Sequence, residues 1–294
     1  MIKRVLCFEN PARLSLKLEQ MVVELQDTMR TVPIEDVGVV ILDHKQITIT
    51  HALIDALLAN NCAIVTSNDK HLPVGLMLPL DGHNLQSERF QEQIEASEPL
   101  KKQMWQQTVV AKILGQSHVL GTQQIEHGNM FKWAKDVRSG DTDNMEARAA
   151  AYYWRTVFKN DEFIRDPQGM PPNNLLNYGY SIVRALMARA LVGAGLLPTL
   201  GIHHHSRYDA YCLADDIMEP YRPFVDMKVL EMWNKGGVTS DISSEQKREL
   251  LGITTIDVNI SGHRSPMMLA IQTTAQSVQK CFSGTARKII YPDW

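Results

Sequence analysis

The sequence contains little cysteine and none of the short motifs that mark common nucleotide-binding and hydrolytic sites. Its four cysteines are scattered and form no CxxC pair, which disfavours a zinc cluster or a disulfide framework and predicts a reducing compartment. The patterns GxGxxG, GxxxxGK[ST], HExxH and GxSxG are all absent. Dinucleotide-binding, P-loop, zinc-protease and α/β-hydrolase functions therefore have no motif to support them.

Long hydrophobic runs are also missing. The most apolar stretch, residues 185–197, contains Arg189 and two glycines, and it is shorter than the ~20 residues that a membrane-spanning helix needs. The start of the chain shows no basic segment followed by an apolar run and a cleavage site. We therefore expect a cytoplasmic protein that has no membrane partner.

The composition is that of an ordinary globular protein, with 294 residues of which 44% are hydrophobic and 21% charged. The net charge of −3 does not by itself indicate a nucleic-acid partner, but the distribution of charge matters more than its sum. Residues 101–138 contain six basic and two acidic residues, together with Trp105 and Trp133. This stretch is either a solvated helix face or a surface that contacts phosphates. Its basic residues are Lys101, Lys102, Lys112, Lys132, Lys135 and Arg138.

Hydrophobic periodicity divides the chain into two parts. Up to about residue 80 it favours strands, at residues 4–8, 14–18, 37–42, 62–66 and 74–80, with one helix at residues 49–60. Beyond it the period is helical, at residues 101–121, 145–158, 175–191, 213–218 and 267–279, and residues 289–294 form an extended tail. Pro220 should cut the helix at residues 213–218 short. The predicted fold class is α+β, with a small β-rich N-terminal domain (residues 1–85) followed by a larger all-α domain (residues 86–294).

Residues 203–219 form the densest chemical cluster. Three consecutive histidines, residues 203–205, are followed by Asp215, Asp216 and Glu219. On a helix the three acidic side chains can share a face, where like charges repel unless a divalent cation or the nearby Arg222 compensates them. The alternatives are a solvated histidine loop and an exposed acidic helix end, because such residues are most often simply hydrated.

Glu146 is a third candidate, at the alanine-rich start of a predicted helix. A glutamate at a helix N-terminus is also favoured by the helix dipole alone, so its position does not by itself indicate a site. Carboxylates combined with one imidazole suit Mg²⁺ or Mn²⁺. Such a metal neutralises charge on a phosphate during an in-line displacement.

Several segments resemble one known family, the CRISPR-associated integrases that insert spacers into a CRISPR array. Residues 201–204 and 213–226 are similar to the family signature G-x-x-H … DxMEPfRPxVD. Residues 177–180 (NYGY) and 112–116 (KILGQ) resemble two further family segments. The likeness extends over most of the chain, and residues 72–79 are most similar to the type II branch.

The resemblance implies a β-rich N-terminal domain joined to a helical catalytic domain, and a set of three metal ligands. By motif position the catalytic and metal-binding residues are Glu146, His204 and Glu219, with Mg²⁺ or Mn²⁺ as cofactor. The signature selects His204, while His203 and His205 are the alternatives within the triplet. Asp216 would act as an outer-shell partner.

The implied reaction is a transesterification in which the 3′-hydroxyl of a short double-stranded DNA fragment attacks a phosphodiester of CRISPR repeat DNA. The implied assembly is a homodimer, joined to a small second CRISPR-associated protein that spaces two dimers in a heterohexamer-type complex. Basic residues of the stretch 101–138, with Arg184 and Arg189, would hold backbone phosphates. The competing functions are a metal-dependent nuclease of branched DNA and a non-catalytic DNA-binding subunit.

Overall fold

The computed structural model describes residues 3–69 and 71–294. The chain folds into two compact units, Met1–Asn84 and Leu85–Trp294. The first unit is rich in strands and the second is mostly helical, which confirms the predicted fold class in outline. No helix in the described residues is long and apolar enough to cross a membrane.

Within the described residues, the first unit contains two four-stranded sheets and one α-helix. In one sheet β1, β5 and β7 run parallel and β8 closes the edge antiparallel; in the other, β2, β3 and β4 are antiparallel and β6 pairs with β2. The elements are β1 (Arg4–Phe8), β2 (Arg13–Lys17), β3 (Gln20–Glu24), β4 (Met29–Pro33), β5 (Val37–Leu42), β6 (Thr48–Ile49), α1 (His51–Ala59), β7 (Ala63–Ser67) and β8 (Pro73–Met77).

The core of this unit follows the predicted pattern closely. All but the last residue of β5 are buried, as its uninterrupted β-branched run indicates. Helix α1 buries Leu53 and Leu57 on its predicted stripe and begins at Thr50, whose side chain accepts the backbone N–H of Leu53. The β2–β3 turn was less apparent from the sequence, because Leu18 and Glu19 adopt positive φ without the usual Asn-Gly signal.

The second unit is mostly helical but not entirely so. Its elements are α2 (Gln86–Glu95), α3 (Glu98–Thr122), α4 (Gly128–Asp136), α5 (Met145–Thr156), α6 (Asn173–Gly193), α7 (Cys212–Met218), α8 (Arg222–Lys235), α9 (Ser244–Leu251), β9 (Asp257–Ile260), β10 (His263–Pro266) and α10 (Met267–Phe282). The antiparallel β9–β10 pair corrects the expectation of an all-α domain. It turns through Ser261 and Gly262, both with positive φ.

Pro220 lies in a short 3₁₀ turn between two helices. Helix α7 ends at Met218 as predicted, but a short 3₁₀ turn, Glu219–Tyr221, then leads directly into α8. Pro220 and Pro223 each lie in a first turn, where the missing N–H leaves no hydrogen bond unmade. The turn therefore places Glu219 and Arg222 at a junction between two helices.

The predicted extended tail packs along α3. The hydroxyl of Tyr291 lies 2.7 Å from that of Thr108 on α3. The Trp294 ring stacks on Phe224 of α8, with ring centroids 4.0 Å apart. The tail thereby connects two of the elements that carry the candidate site.

Candidate functional site

Two carboxylates from different helices meet at one lysine. The Nζ atom of Lys112 on α3 lies 2.6 Å from Oε1 of Glu146 on α5 and 2.6 Å from Oε2 of Glu219 on the 3₁₀ turn. The other Glu219 oxygen lies 2.9 Å from Nε of Arg222. The structure thus brings together two of the three predicted ligands. It also removes Lys112 from the predicted phosphate-contacting surface, because this ammonium is largely buried between the carboxylates.

The electrostatics of this cluster favour fully charged groups. Burial alone raises the pKa of Glu219, but the positive charges of Arg222 and Lys112 outweigh burial and hold that pKa below its usual range. Burial lowers the pKa of Lys112, and the charges of Glu219 and Glu146 more than reverse the effect. The site is therefore a preformed set of negative oxygens around a positive centre.

Asp141 fixes the start of the helix that carries Glu146. The Asp141 carboxylate accepts the backbone N–H groups of Met145 and Glu146, at 2.8 and 3.0 Å, and so caps the start of α5. The Glu146 side chain consequently remains available for Lys112. Asp141 lies four residues before the start of α5, whose N-cap position is Asn144, so the usual capping pattern of a sequence does not point to it.

His204 is oriented by Asp216. Nδ1 of His204 forms a short hydrogen bond with the fully buried Asp216 carboxylate. The same carboxylate accepts the backbone N–H groups of Ile202 and His203, at 2.8 and 2.9 Å. A Cβ on Gly201 would lie 2.3 Å from the His204 carbonyl oxygen, so this close packing of the loop requires glycine. The structure thus places Asp216 in contact with the ring, as an outer-shell residue would be.

The three histidines have different surroundings. The His203 ring stacks on buried Trp105, with centroids 4.1 Å apart and planes 1° from parallel, whereas the His204 ring stands edge-on to Trp105. Burial lowers the pKa of His203. The hydrogen bond to Asp216 raises the pKa of His204, and the charges of Glu219 and Glu146 add to that effect. His204 therefore interacts electrostatically with both glutamates and keeps Nε2 for a ligand.

The acidic face of α7 has separate partners instead of one shared cation. Asp215 forms two hydrogen bonds with Arg184, each of 2.6 Å, and Asp216 binds His204. Only Glu219 pairs with Arg222, the compensating residue considered from the sequence. Burial raises the pKa of Asp215 to about 6 despite Arg184.

Arg184 and Arg189 on α6 are not the free phosphate-contacting residues that the resemblance implied. Arg189 is 2% exposed and lies in the core, so it presents no charge to DNA in this structure. The guanidinium of Arg184 is partly exposed, but it is held by Asp215. Each arginine is flanked by small or apolar residues, so the local sequence gives no sign of which one faces inward.

The cluster matches a divalent cation in its chemistry. Within residues 3–69 and 71–294, no three His, Cys, Asp or Glu side chains are arranged as a metal site. The Lys112 ammonium instead stands where the two carboxylates converge. Two carboxylates and one imidazole are the hard, mixed donors that Mg²⁺ and Mn²⁺ accept. The donor set fits such an ion, and a cation already occupies the place where it would bind.

The fold is shared with an enzyme that has been captured with an integration product. A solved structure described as "casposase bound to integration product" matches with a TM-score of 0.79 at 18% identity, covering 98% of this chain and 92% of that one. A second, described as a "Cas6-RT-Cas1–Cas2 complex", matches with a TM-score of 0.77 at 18% identity, covering 98% of this chain and 36% of that one. At these identities the likeness establishes the fold.

The sequence comparisons establish the family. The family model described as "CRISPR associated protein Cas1" matches residues 5–256. The CRISPR-associated endonuclease Cas1 of Neisseria meningitidis serogroup C (strain 8013) is 34% identical over 282 residues, which cover 94% of this chain and 91% of that protein. The chain belongs to the Cas1 family, and the resemblance seen in its signature segments is confirmed.

Proposed function

We propose that this protein is a divalent-metal-dependent DNA endonuclease and integrase that inserts short DNA fragments into a CRISPR array. The observation that carries the proposal is the convergence of Glu146 and Glu219 on one buried cation, Lys112, with His204 fixed beside them. The related endonuclease of N. meningitidis and the casposase that shares the fold support a nucleic-acid reaction of this type.

The proposed reaction exchanges one phosphodiester for another. A bond forms between phosphorus and the 3′-oxygen of the incoming fragment, and the bond from phosphorus to the leaving 3′-oxygen of the repeat breaks. Mg²⁺ or Mn²⁺, held by Glu146, Glu219 and Nε2 of His204, would supply charge neutralisation at the phosphate. Arg222 keeps Glu219 ionised, and Asp216 holds the His204 ring in position. The protein contributes positioning and electrostatics, and no covalent intermediate is required.

The direct test is the joining of a labelled double-stranded fragment with a free 3′-hydroxyl to a supercoiled plasmid that carries a CRISPR repeat. Joining should require Mg²⁺ or Mn²⁺ and stop with a chelator. A fragment with a blocked 3′-end should not join. Cleavage of branched DNA without joining would instead identify a nuclease with another role. Binding without either reaction would identify a DNA-binding subunit.

The proposed DNA contacts come from exposed basic residues of α3, α4 and the segment that follows. Lys102, Lys132, Lys135 and Arg138 are exposed, and Lys101 is partly exposed beside Glu98. These side chains suit phosphates more than base edges, so binding should show little sequence preference. The substrates we propose are double-stranded fragments and the CRISPR repeat.

The proposed assembly is a homodimer formed through the first unit, joined to a small second CRISPR-associated protein in a heterohexamer-type complex. The solved Cas1–Cas2 complex that shares the fold supports the second partner. The first unit exposes large apolar side chains, including Leu18, Met29, Val74, Met77 and Leu80, which the proposed interface would cover. A concentration-independent monomer in light scattering would rule out the dimer.

A further inference from the structure

A buried polar network lies among the helices that carry the candidate ligands, and the proposed reaction does not use it. Asp226 on α8 is 1% exposed. Its Oδ2 accepts a 2.9 Å hydrogen bond from the hydroxyl of Tyr153 on α5, and its Oδ1 accepts a short one from the hydroxyl of Tyr180 on α6. Both tyrosines are buried. One carboxylate thus connects three helices.

The first branch of this network leads to Glu146. Tyr153 and Glu146 lie seven residues apart on α5, which is about two turns, so they share a face of the helix. The bond from Tyr153 to Asp226 therefore fixes α5 against α8 on the side from which Glu146 reaches Lys112.

The second branch leads to Glu219. The guanidinium carbon of Arg222 lies 4.6 Å from the centre of the Tyr180 ring, a distance at which a cation is attracted to the ring face. Nε of Arg222 lies 2.9 Å from Oε1 of Glu219. Asp226 holds the Tyr180 ring by its hydroxyl, and the ring in turn positions Arg222. Arg222 then positions Glu219.

Overall stability alone is a weak explanation for such a network. Replacing a buried ionic group with well-packed apolar residues is often neutral or stabilising, so a buried carboxylate adds little net stability. A fully bonded polar network does fix geometry, because each partner accepts only a narrow range of positions. In this protein, the geometry that needs fixing is the separation of two carboxylates on different elements.

We infer that Asp226 is a positioning residue that sets the separation of the Glu146 and Glu219 carboxylates, through Tyr153 and α5 on one side and through Tyr180 and Arg222 on the other. The inference rests on the proposed function, because it assigns a purpose to the spacing of those two ligands. It predicts that removing either tyrosine hydroxyl weakens cation binding without touching a ligand.

The test compares Tyr153→Phe and Tyr180→Phe with Tyr178→Phe, which removes a fully buried hydroxyl of α6 that forms neither of the two Asp226 hydrogen bonds. Binding of Mn²⁺ alone is followed by the electron paramagnetic resonance signal of the free ion, and DNA joining is measured across the same Mn²⁺ concentrations. Thermal unfolding reports how much each variant is destabilised.

Tyr153→Phe and Tyr180→Phe should raise the half-saturating Mn²⁺ concentration about tenfold, as loss of an outer-shell partner does. Tyr178→Phe should leave it at the wild-type value.

The outcomes separate the inference from the proposed function. If wild type binds Mn²⁺ and Glu146→Gln and Glu219→Gln abolish binding, but both network variants bind as wild type does, the positioning role is overturned and the proposed site stands. If Tyr178→Phe raises the half-saturating Mn²⁺ concentration as much as Tyr153→Phe and Tyr180→Phe do, the effect is general destabilisation, and the inference is again wrong. If wild type itself binds no Mn²⁺, the proposed metal site fails and takes the inference with it.

Discussion

Nδ1 of His204 is hydrogen-bonded to the same Asp216 carboxylate that receives the backbone N–H groups of Ile202 and His203. One side chain therefore shapes the loop and orients the ring. Asp216→Asn replaces one carboxylate oxygen with an NH₂ group, which cannot accept hydrogen bonds from these donors. We expect it to reduce DNA joining by about 10- to 100-fold, while thermal unfolding shows a folded protein. Joining at the wild-type rate would show that the ring is held by other means.

The ligand assignment predicts that Glu146→Gln, His204→Ala and Glu219→Gln each abolish joining and leave most DNA binding intact. A hard divalent ion with few protein ligands cannot lose one without losing its geometry. Either substitution at residue 219 leaves buried Lys112 and Arg222 without their counter-charge, which costs roughly 3–5 kcal/mol. Glutamine is preferred, because it keeps the side-chain volume and one acceptor oxygen, whereas alanine would also leave a cavity.

The neighbouring histidines provide the control for this assignment. His205→Ala should join DNA as wild type does. His203→Ala loses a stack on Trp105 and should keep substantial activity with a modest loss of thermal stability. Inactive His203→Ala together with active His204→Ala would show that the wrong histidine has been assigned.

Replacing Lys112 tests whether a divalent cation binds between Glu146 and Glu219. In Lys112→Met the two glutamates lose the ammonium that lies 2.6 Å from each. We expect lower stability without metal, and a larger rise in the unfolding temperature on adding Mn²⁺ than wild type shows, since ion binding then relieves the repulsion between the carboxylates. Thermal unfolding with and without Mn²⁺ measures both. An equal rise in the two proteins would place the cation elsewhere.

The basic surface predicts salt-dependent binding to duplex DNA. The logarithm of the binding constant should fall linearly with the logarithm of salt concentration, with a slope that shrinks as basic residues are removed. Lys132→Glu with Lys135→Glu should weaken binding and flatten the slope, whereas the matched reversal of Lys17 and Arg30, which are exposed in the first unit, should not. Fluorescence anisotropy over a salt series provides the measurement. An unchanged slope in the Lys132 and Lys135 variant would assign the contacts to another face.

Asp226 predicts a pH dependence of folding. Burial raises its pKa from 3.8 to about 6, against the opposing effects of Tyr180, Tyr153, Arg222 and Arg165. Between these two pKa values the Asp226 carboxyl is ionised in the unfolded chain but still protonated in the folded protein. Raising the pH through this range therefore stabilises the unfolded chain, and wild type loses up to roughly 3 kcal/mol of stability. Asp226→Asn lacks this loss. Urea unfolding at several pH values should show wild type losing stability relative to the variant between pH 4 and about 6, and parallel profiles would contradict the assignment.

Much of the fold could be predicted because its signals are local. The continuous β-branched run of β5, the stripe of α1 and the alanine-rich α5 each follow from neighbouring residues. Helix α8 could not be predicted in this way, because Pro220 and Pro223 indicate an interruption. The structure shows that they occupy the first turns of consecutive helical segments.

The candidate site could be predicted from the sequence only in part. The family resemblance implies Glu146, His204, Glu219 and Asp216 as site residues, yet nothing in their spacing places Lys112 between the two glutamates. On α3 Lys112 is one of several lysines, and only its three-dimensional neighbours show which of them faces inward. The same applies to Arg189, whose burial contradicts the phosphate contact expected of it.

If the proposed metal binds between the two glutamates, its uptake is an exchange reaction in which the ion displaces the Lys112 ammonium. The protein carries its own counter-ion, so it has no need of metal to tolerate two buried negative groups, unlike small domains that fold only around an ion. An incoming ion must compete with a tethered +1 charge. Ions of the same charge have little advantage in that competition, and a divalent ion has a large one, so the lysine would give the proposed site a selectivity for charge.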